Sequence, residues 1–166
     1  IKYFFKYIGK KKHLHKIKLV KNDTKVFIVK SIGDPNPKNE IKEIDGSITL
    51  WYESGDWKFH DNYFGGEPYG GRTVISYKNK PIWIMVYYGK LDDNVSDVNE
   101  AYLFLRKALR AKEDPPAGEA REGFRGPKEF SEGKFKYTND WQGGLENYSG
   151  KENISMEGDL IYTAMY

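Results

Sequence analysis

One stretch of this chain occurs twice. Phe135-Lys-Tyr-Thr-Asn-Asp-Trp-Gln-Gly-Gly144 lies on Trp57-Lys-Phe-His-Asp-Asn-Tyr-Phe-Gly-Gly66 without a gap. After one inserted residue, Tyr148-Ser-Gly-Lys151 matches Tyr69-Gly-Gly-Arg72, and Ile154-Ser155 matches Ile75-Ser76. Gly158 then falls at the turn position of Asn79, and Ile161–Tyr166 lies on Ile82–Tyr87. The matched units are 53–88 and 131–166, and they read as an internal duplication. Whatever one unit folds into, the chain must accommodate two of them.

Each unit reads as strands. Alternating side chains over Trp57–Phe64, a glycine-rich stretch, Arg72–Tyr77, a turn at 78–80 and Pro81–Tyr88 make a three-stranded meander. Ile48, Leu50 and Tyr52 add a strand before it, with Ser54-Gly55 as a hairpin turn. Residues 31–45, with Gly33, Pro35 and Pro37, read as a loop. Ile17–Val20 and Val26–Val29 around Lys21-Asn-Asp-Thr24 read as a further hairpin.

Residues 97–113 carry the helical period. Val98, Tyr102, Leu105 and Leu109 recur at 3.6-residue spacing with Ala101 and Ala108 beside them. Asp97 followed by Glu100 resembles a capping box, and Pro115-Pro116 halts the helix. Residues 114–130 form a long charged connection. The expected fold is α+β in one domain, 1–166. It is a twisted, mainly antiparallel sheet of two pseudo-repeated meanders with one amphipathic helix packed on it. Its parts are the basic segment 1–30, a first β unit over 46–90, the helix, the connection and a second β unit over 131–166. The first unit runs on through Tyr88-Gly89 where the second stops at Tyr166, so the last strand is expected to continue past that residue.

Composition narrows the chemistry. There is no cysteine, which excludes disulfides, thiolate metal sites and cysteine nucleophiles. This fits a cytoplasmic protein. No apolar run approaches the roughly 20 residues of a membrane helix. Residues 1–30 hold ten lysines and one acid, a charge of +9; the chain total of +3 leaves −6 for the remainder. Such a segment is either a solvated lysine face on an edge hairpin or a contact for nucleic acid. His13 and His15 share a strand face, but no third ligand lies near, so no metal and no cofactor is expected.

The chain has 13 Tyr, 9 Phe and 4 Trp, suited either to ordinary sheet packing or to a half-wet binding face. Trp57, Phe59, Asp61 and Tyr63 share one strand face, as do Phe135, Tyr137, Asn139 and Trp141. Trp83 and Tyr87 are placed to join the first row. Ile82, Ile84 and Val86 make the other face of that strand apolar too, which places it centrally. A carboxylate among rings is costly to bury unless it is bonded or used, so Asp61 is the leading functional candidate. The competing reading is that Asp61 and Asn139 cap the glycine turns after them. Gly65–Arg72, containing Glu67, reads either as a cradle for an anion or as glycines that only set turn geometry. Arg125 is either a lid-borne anion contact or solvated.

Gly65-Gly66-x-x-Tyr-Gly-Gly-Arg72, Pro81–Gly89 and Phe124-Arg-Gly-Pro127 resemble a family of small uncharacterised bacterial and archaeal domains. Some of these are fused behind a helix-turn-helix DNA-binding module. The resemblance spans residues 48–166. It implies at most a sensing or regulatory role and carries over no catalytic residue. The expected function is binding of a small molecule or peptide at the aromatic face, through Trp57, Phe59, Asp61, Tyr63, Glu67, Arg72, Trp83, Tyr87, Arg125 and Trp141. The alternatives are an acid/base enzyme using Asp61 or Glu67, and an interaction protein touching nucleic acid through its basic hairpin. Nucleic acid is not the expected partner, and no membrane contact is expected.

Overall fold

The computed structural model describes residues 40–111, 125–143 and 147–166. Among them run β1 (Glu40–Lys42), β2 (Ile48–Ser54), β3 (Trp57–Phe64), β4 (Tyr69–Tyr77), β5 (Lys80–Leu91), α1 (Val98–Arg110), β6 (Glu129–Glu132), β7 (Phe135–Gln142), β8 (Ser149–Met156) and β9 (Asp159–Met165). The strands form one twisted antiparallel sheet in the order β1-β2-β3-β4-β5-β9-β8-β7-β6. Two meanders therefore meet back to back through their last strands, with Tyr88 opposite Met165 and Leu91 opposite Tyr162. The fold is the expected α+β architecture.

The two halves share local geometry. Gly55 and Gly133 open the first hairpin of each half with left-handed φ of 58° and 60°. Lys78-Asn79 and Glu157-Gly158 close the last hairpin of each, all four at positive φ. Such turns match the twist of the strands they join. The register slips between Ile75 and Ser76, and likewise between Ile154 and Ser155. A bulge at the same place in each half bends both meanders alike.

Several boundaries differ from the sequence reading; β4 already begins at Tyr69, in the glycine-rich stretch, and β5 runs from Lys80 to Leu91. Glu40–Lys42 lies within the stretch read as a loop, yet it pairs with Ile48–Leu50 as an edge strand. The tight turn between them, with Asp45 Oδ1 accepting from the Ser47 amide at 2.9 Å, turns the chain back at once. β6 begins at Glu129, inside the supposed connection, because Glu129–Glu132 finds partners on β7. The two-residue turn after Ser54 is Gly55-Asp56, since Ser54 itself pairs with Trp57. The basic hairpin at 17–29, His13 and His15 ahead of it, and Pro115-Pro116 lie outside the described residues.

Only one face of the sheet carries α1; it is called the inner face below. Asp97 caps the helix, its Oδ1 accepting from the Glu100 amide at 2.8 Å. Glu100 does not complete a capping box; its carboxylate pairs with Lys134 at 2.8 Å. α1 packs on β6 and β7 and buries Ala101, Phe104, Leu105 and Ala108 against Leu91, Phe135, Tyr137, Ile154 and Tyr162. Phe104 stacks on Phe135 at 5.0 Å between centroids. The first half keeps a smaller core of its own. There Phe59 and Ile75 are buried among Leu50, Trp57, Ile82, Trp83 and Tyr148. β5 is central as its two apolar faces suggest, but Ile84, Val86 and Tyr88 face outward and are mostly exposed.

Truncating Phe104→Ala removes a ring from the helix–sheet seam and should cost roughly 3–5 kcal/mol. Leu103→Ala, at an exposed neighbour, should cost less than about 0.5 kcal/mol. Urea denaturation of both variants checks this; equal losses would contradict the assigned helix face.

Candidate functional site

The centre of the inner face is polar. On β7 and β8, Asn139 lies directly opposite Glu152. On β3 and β4, Asp61 lies opposite Thr73 at the corresponding place. Each half thus sets one carboxylate beside one neutral partner, but on opposite strands of the pair.

In the second half the carboxylate is saturated. Glu152 is fully buried. Its Oε2 accepts from Arg125 Nε at 2.9 Å and its Oε1 from the Tyr137 hydroxyl at 2.7 Å. Arg125 is itself buried, and its Nη2 donates to the Tyr69 hydroxyl at 3.2 Å. The guanidinium lies 5.0 Å from the ring centre of Tyr87 and 5.8 Å from that of Tyr166. Stacking of this kind suits the flat, weakly hydrated guanidinium. Asn139 donates its amide to the Arg125 carbonyl and accepts from the Tyr166 hydroxyl at 2.7 Å. Gly126 makes the approach possible. Its φ is +61°, and a Cβ there would collide with the Tyr137 hydroxyl.

The first half repeats the tyrosine contact without the cation. The Tyr87 hydroxyl donates to Asp61 at 3.0 and 3.1 Å, and the Thr73 hydroxyl donates at 2.6 Å. Tyr87 occupies the place that Tyr166 takes in the second half. Tyr69 leaves its own half, ring stacked on Tyr162 and hydroxyls bonded, across Gly89. A Cβ at Gly89 would come within 2.6 Å of the Tyr69 ring, so glycine is needed for that crossing. Tyr148 mirrors it, packing against the Phe59–Ile75 cluster of the other half.

Charge states follow from burial. Burial pushes the Asp61 carboxyl above the ordinary aspartate range; the bonds from Thr73 and Tyr87 and the charges of Arg125 and His60 offset only part of this. Burial, reinforced by Asp61, holds the Tyr87 phenol far above its usual value. Burial, then Glu152, does the same to Tyr137. Tyr162 is likewise held neutral, by burial and by Tyr69. Burial alone would lower Arg125, but Glu152 and the surrounding tyrosines overcome it and keep the guanidinium charged.

The candidates named from sequence separate into groups. Asp61, Tyr87 and Arg125 come together. Tyr63 stands beside them, half-buried; burial raises its phenol, as do Glu40 and Asp61, while Arg106 on α1 opposes. Trp57, Phe59 and Trp83 belong to the small apolar core instead. Arg72 projects from the outer face, opposite Val86, so the glycine stretch and its arginine form no anion cradle with Asp61. Glu67 fastens its loop to the helix side: Oε1 accepts from the Leu91 amide at 2.9 Å and Oε2 from the Tyr102 hydroxyl. Trp141 lies farther along β7, with the Lys128 ammonium 5.5 Å from its ring. Asp61 and Asn139 do not cap the following turns; both hold a tyrosine of the last strand in their half. Arg125 is neither a lid contact nor solvated. Glu152 and Tyr162 escaped the sequence reading, and Tyr69 and Tyr137 entered it only as members of the repeat and of an aromatic row. The available signal was parity: Glu152 shares its strand face with Ile154, so it had to point inward.

Among the described residues, no three His, Cys, Asp or Glu side chains converge to hold a metal ion. Nor is any helix there long and apolar enough to cross a membrane. Among the described residues, the site and fold define an α+β domain with a helix on one face of an antiparallel sheet and a tyrosine-lined polar centre. Residues 61–166 match the family described as a domain of unknown function, DUF5680, and the chain belongs to that family. No curated protein and no solved structure matches the chain.

Removing one member of the buried pair leaves an uncompensated charge. Arg125→Met should therefore lower stability by roughly 3–5 kcal/mol. Adding Glu152→Gln to it should restore part of that loss. Urea denaturation of Arg125→Met, Glu152→Gln and the double variant decides it; a double variant as unstable as the sum of the single losses would show that the charges are not coupled.

Proposed function

We propose that this domain binds a small molecule or peptide on the inner face of its first half, with Asp61 as the group that grips it. One observation carries the reading. Asp61 is a half-buried residue in an aromatic-lined face, and among the described residues its carboxyl accepts from the neutral hydroxyls of Thr73 and Tyr87. A carboxylate in such surroundings is costly unless it is used. Holding the tyrosine does not require it, because Asn139 does the same for Tyr166 without a charge. Taking the two meanders as a duplication, the second half kept a closed, self-satisfied version of the site and the first half an open one. Tyr63, Tyr87 and Leu50 supply the walls; Leu50 lies directly across from Asp61 on β2.

A second reading makes Asp61 the acid/base of an enzyme. Its raised pKa favours that use over the Glu67 alternative, whose two oxygens are both engaged in fastening its loop. A sensing role in the cytoplasm agrees with either. Contact with nucleic acid through the lysine hairpin concerns residues outside those described.

A ligand that binds only the folded state raises its melting temperature, by about 2.7 kcal/mol of added stability at 100 times Kd. A thermal-shift screen against a metabolite library should find compounds that stabilise the natural protein and not Asp61→Asn. Hits that stabilise both proteins equally would refute Asp61 as the gripping group.

A further inference from the structure

The two halves differ in one charge, and that difference points to the ligand. Asp61 and Glu152 are the carboxylates at the heart of the inner face. Glu152 has a cation of its own, Arg125, bonded at 2.9 Å. Arg125 lies seven residues before Glu132, which closes the first hairpin of its half opposite Phe135. Seven residues before Ser54, the matching residue of the first half, stands Ser47. By the same alignment Glu152 answers to Thr73 and Asn139 to Asp61, so the first half carries its carboxylate on the other strand of the pair, a tyrosine, Tyr87, at the place of Tyr166, and a serine at the position of the arginine. Arg125 acts on Asp61 as a charge, while its Nε is bonded to Glu152 and its Nη2 to Tyr69.

We propose that the first-half site takes a ligand bearing a guanidinium or ammonium group, which lies against Asp61 as the Arg125 guanidinium lies against Glu152. This rests on the reading of that face as a ligand site. An anionic ligand would meet Asp61 head-on. A neutral ligand would leave the carboxylate's charge unmatched. A cation gains the charge-assisted bond and, beside Tyr63, an aromatic face. Other charges face the place from several sides. Glu40 on the edge strand adds negative potential at Tyr63, while Arg106 on α1 opposes it, and His60 and Arg125 act on Asp61. Asp61 is a half-buried residue where Glu152 is sealed.

The test is an amide NMR titration of the whole chain with arginine, agmatine and a blocked Gly-Arg-Gly peptide. Citrulline in a blocked Gly-citrulline-Gly peptide, which replaces guanidinium by a neutral urea and carries no ammonium, and succinate serve as the neutral and anionic probes. The cations should give saturable shifts at Asp61, Tyr63, Thr73 and Tyr87, at least tenfold tighter than citrulline. Asp61→Asn should keep its spectrum and lose those shifts; the citrulline comparison needs no variant at all. A peptide tighter than free arginine would identify the source of the cation as a polypeptide. Citrulline or succinate binding as well as arginine would overturn the cation while leaving the ligand site standing. No shift at these residues from any of the three charge classes would remove both.

Discussion

The Arg125–Glu152 pair is the contact on which the rest of the inner face depends. It joins the chain just ahead of β6 to the middle of β8, and it reaches Tyr69 from the other half. Taking two charges out of water is expensive, and a buried pair returns that energy only when its remaining donors and acceptors are satisfied. Here Tyr137 completes the carboxylate, and the rings of Tyr87 and Tyr166 flank the guanidinium. The pair is better understood as a device for position than as a source of stability. Tyr87 comes from the first half and Tyr166 from the second, so the cation sits where the halves meet.

The crossing tyrosines extend that logic. Tyr69 docks in the core of the second half, and Tyr148 in that of the first. Neither half closes its own core, which ties the meanders into one body beyond the bonds between β5 and β9. α1 covers the second half and leaves the first with a small core. The uneven cover explains why related positions acquire different electrostatics. A carboxylate under the helix must be neutralised internally. One beside it keeps access to solvent.

The sheet and helix were legible because their signals are local. Alternation along Phe135–Gln142 and the 3.6-residue stripe of α1 each reflect one element facing one core. Phe104 was missed from that stripe because Leu105 and Leu109 already satisfied the pattern. Asp61 stood out as a charge in an aromatic row, and Tyr87 by its face. The network around them was not legible, because Asp61, Thr73, Tyr87 and Arg125 lie on separate segments and converge only through strand order. Arg125 was the hardest case: nothing within Phe124-Arg-Gly-Pro127 signals that a carboxylate on β8, 27 residues on, will pair with it. Arg72 failed for the opposite reason. Its neighbours suggested a cradle, but strand parity turns it to the outer face.

The account turns on Asp61 being a desolvated carboxyl without a full counterion among the described residues. Carbon-detected NMR can follow its carboxyl through an acid titration of the folded protein. The account predicts a midpoint above the unperturbed aspartate value of about 3.9. It also fixes the sign of the linked stability. Below the unfolded pKa the group is protonated in both states, so the natural protein bears no penalty; as pH rises through the raised folded pKa, its stability falls relative to Asp61→Asn, by about 1.4 kcal/mol for each unit of the shift. A midpoint at or below 3.9 would mean that Arg125 already serves Asp61 as well as Glu152, and would contradict the claim that the first half has a charge left to match.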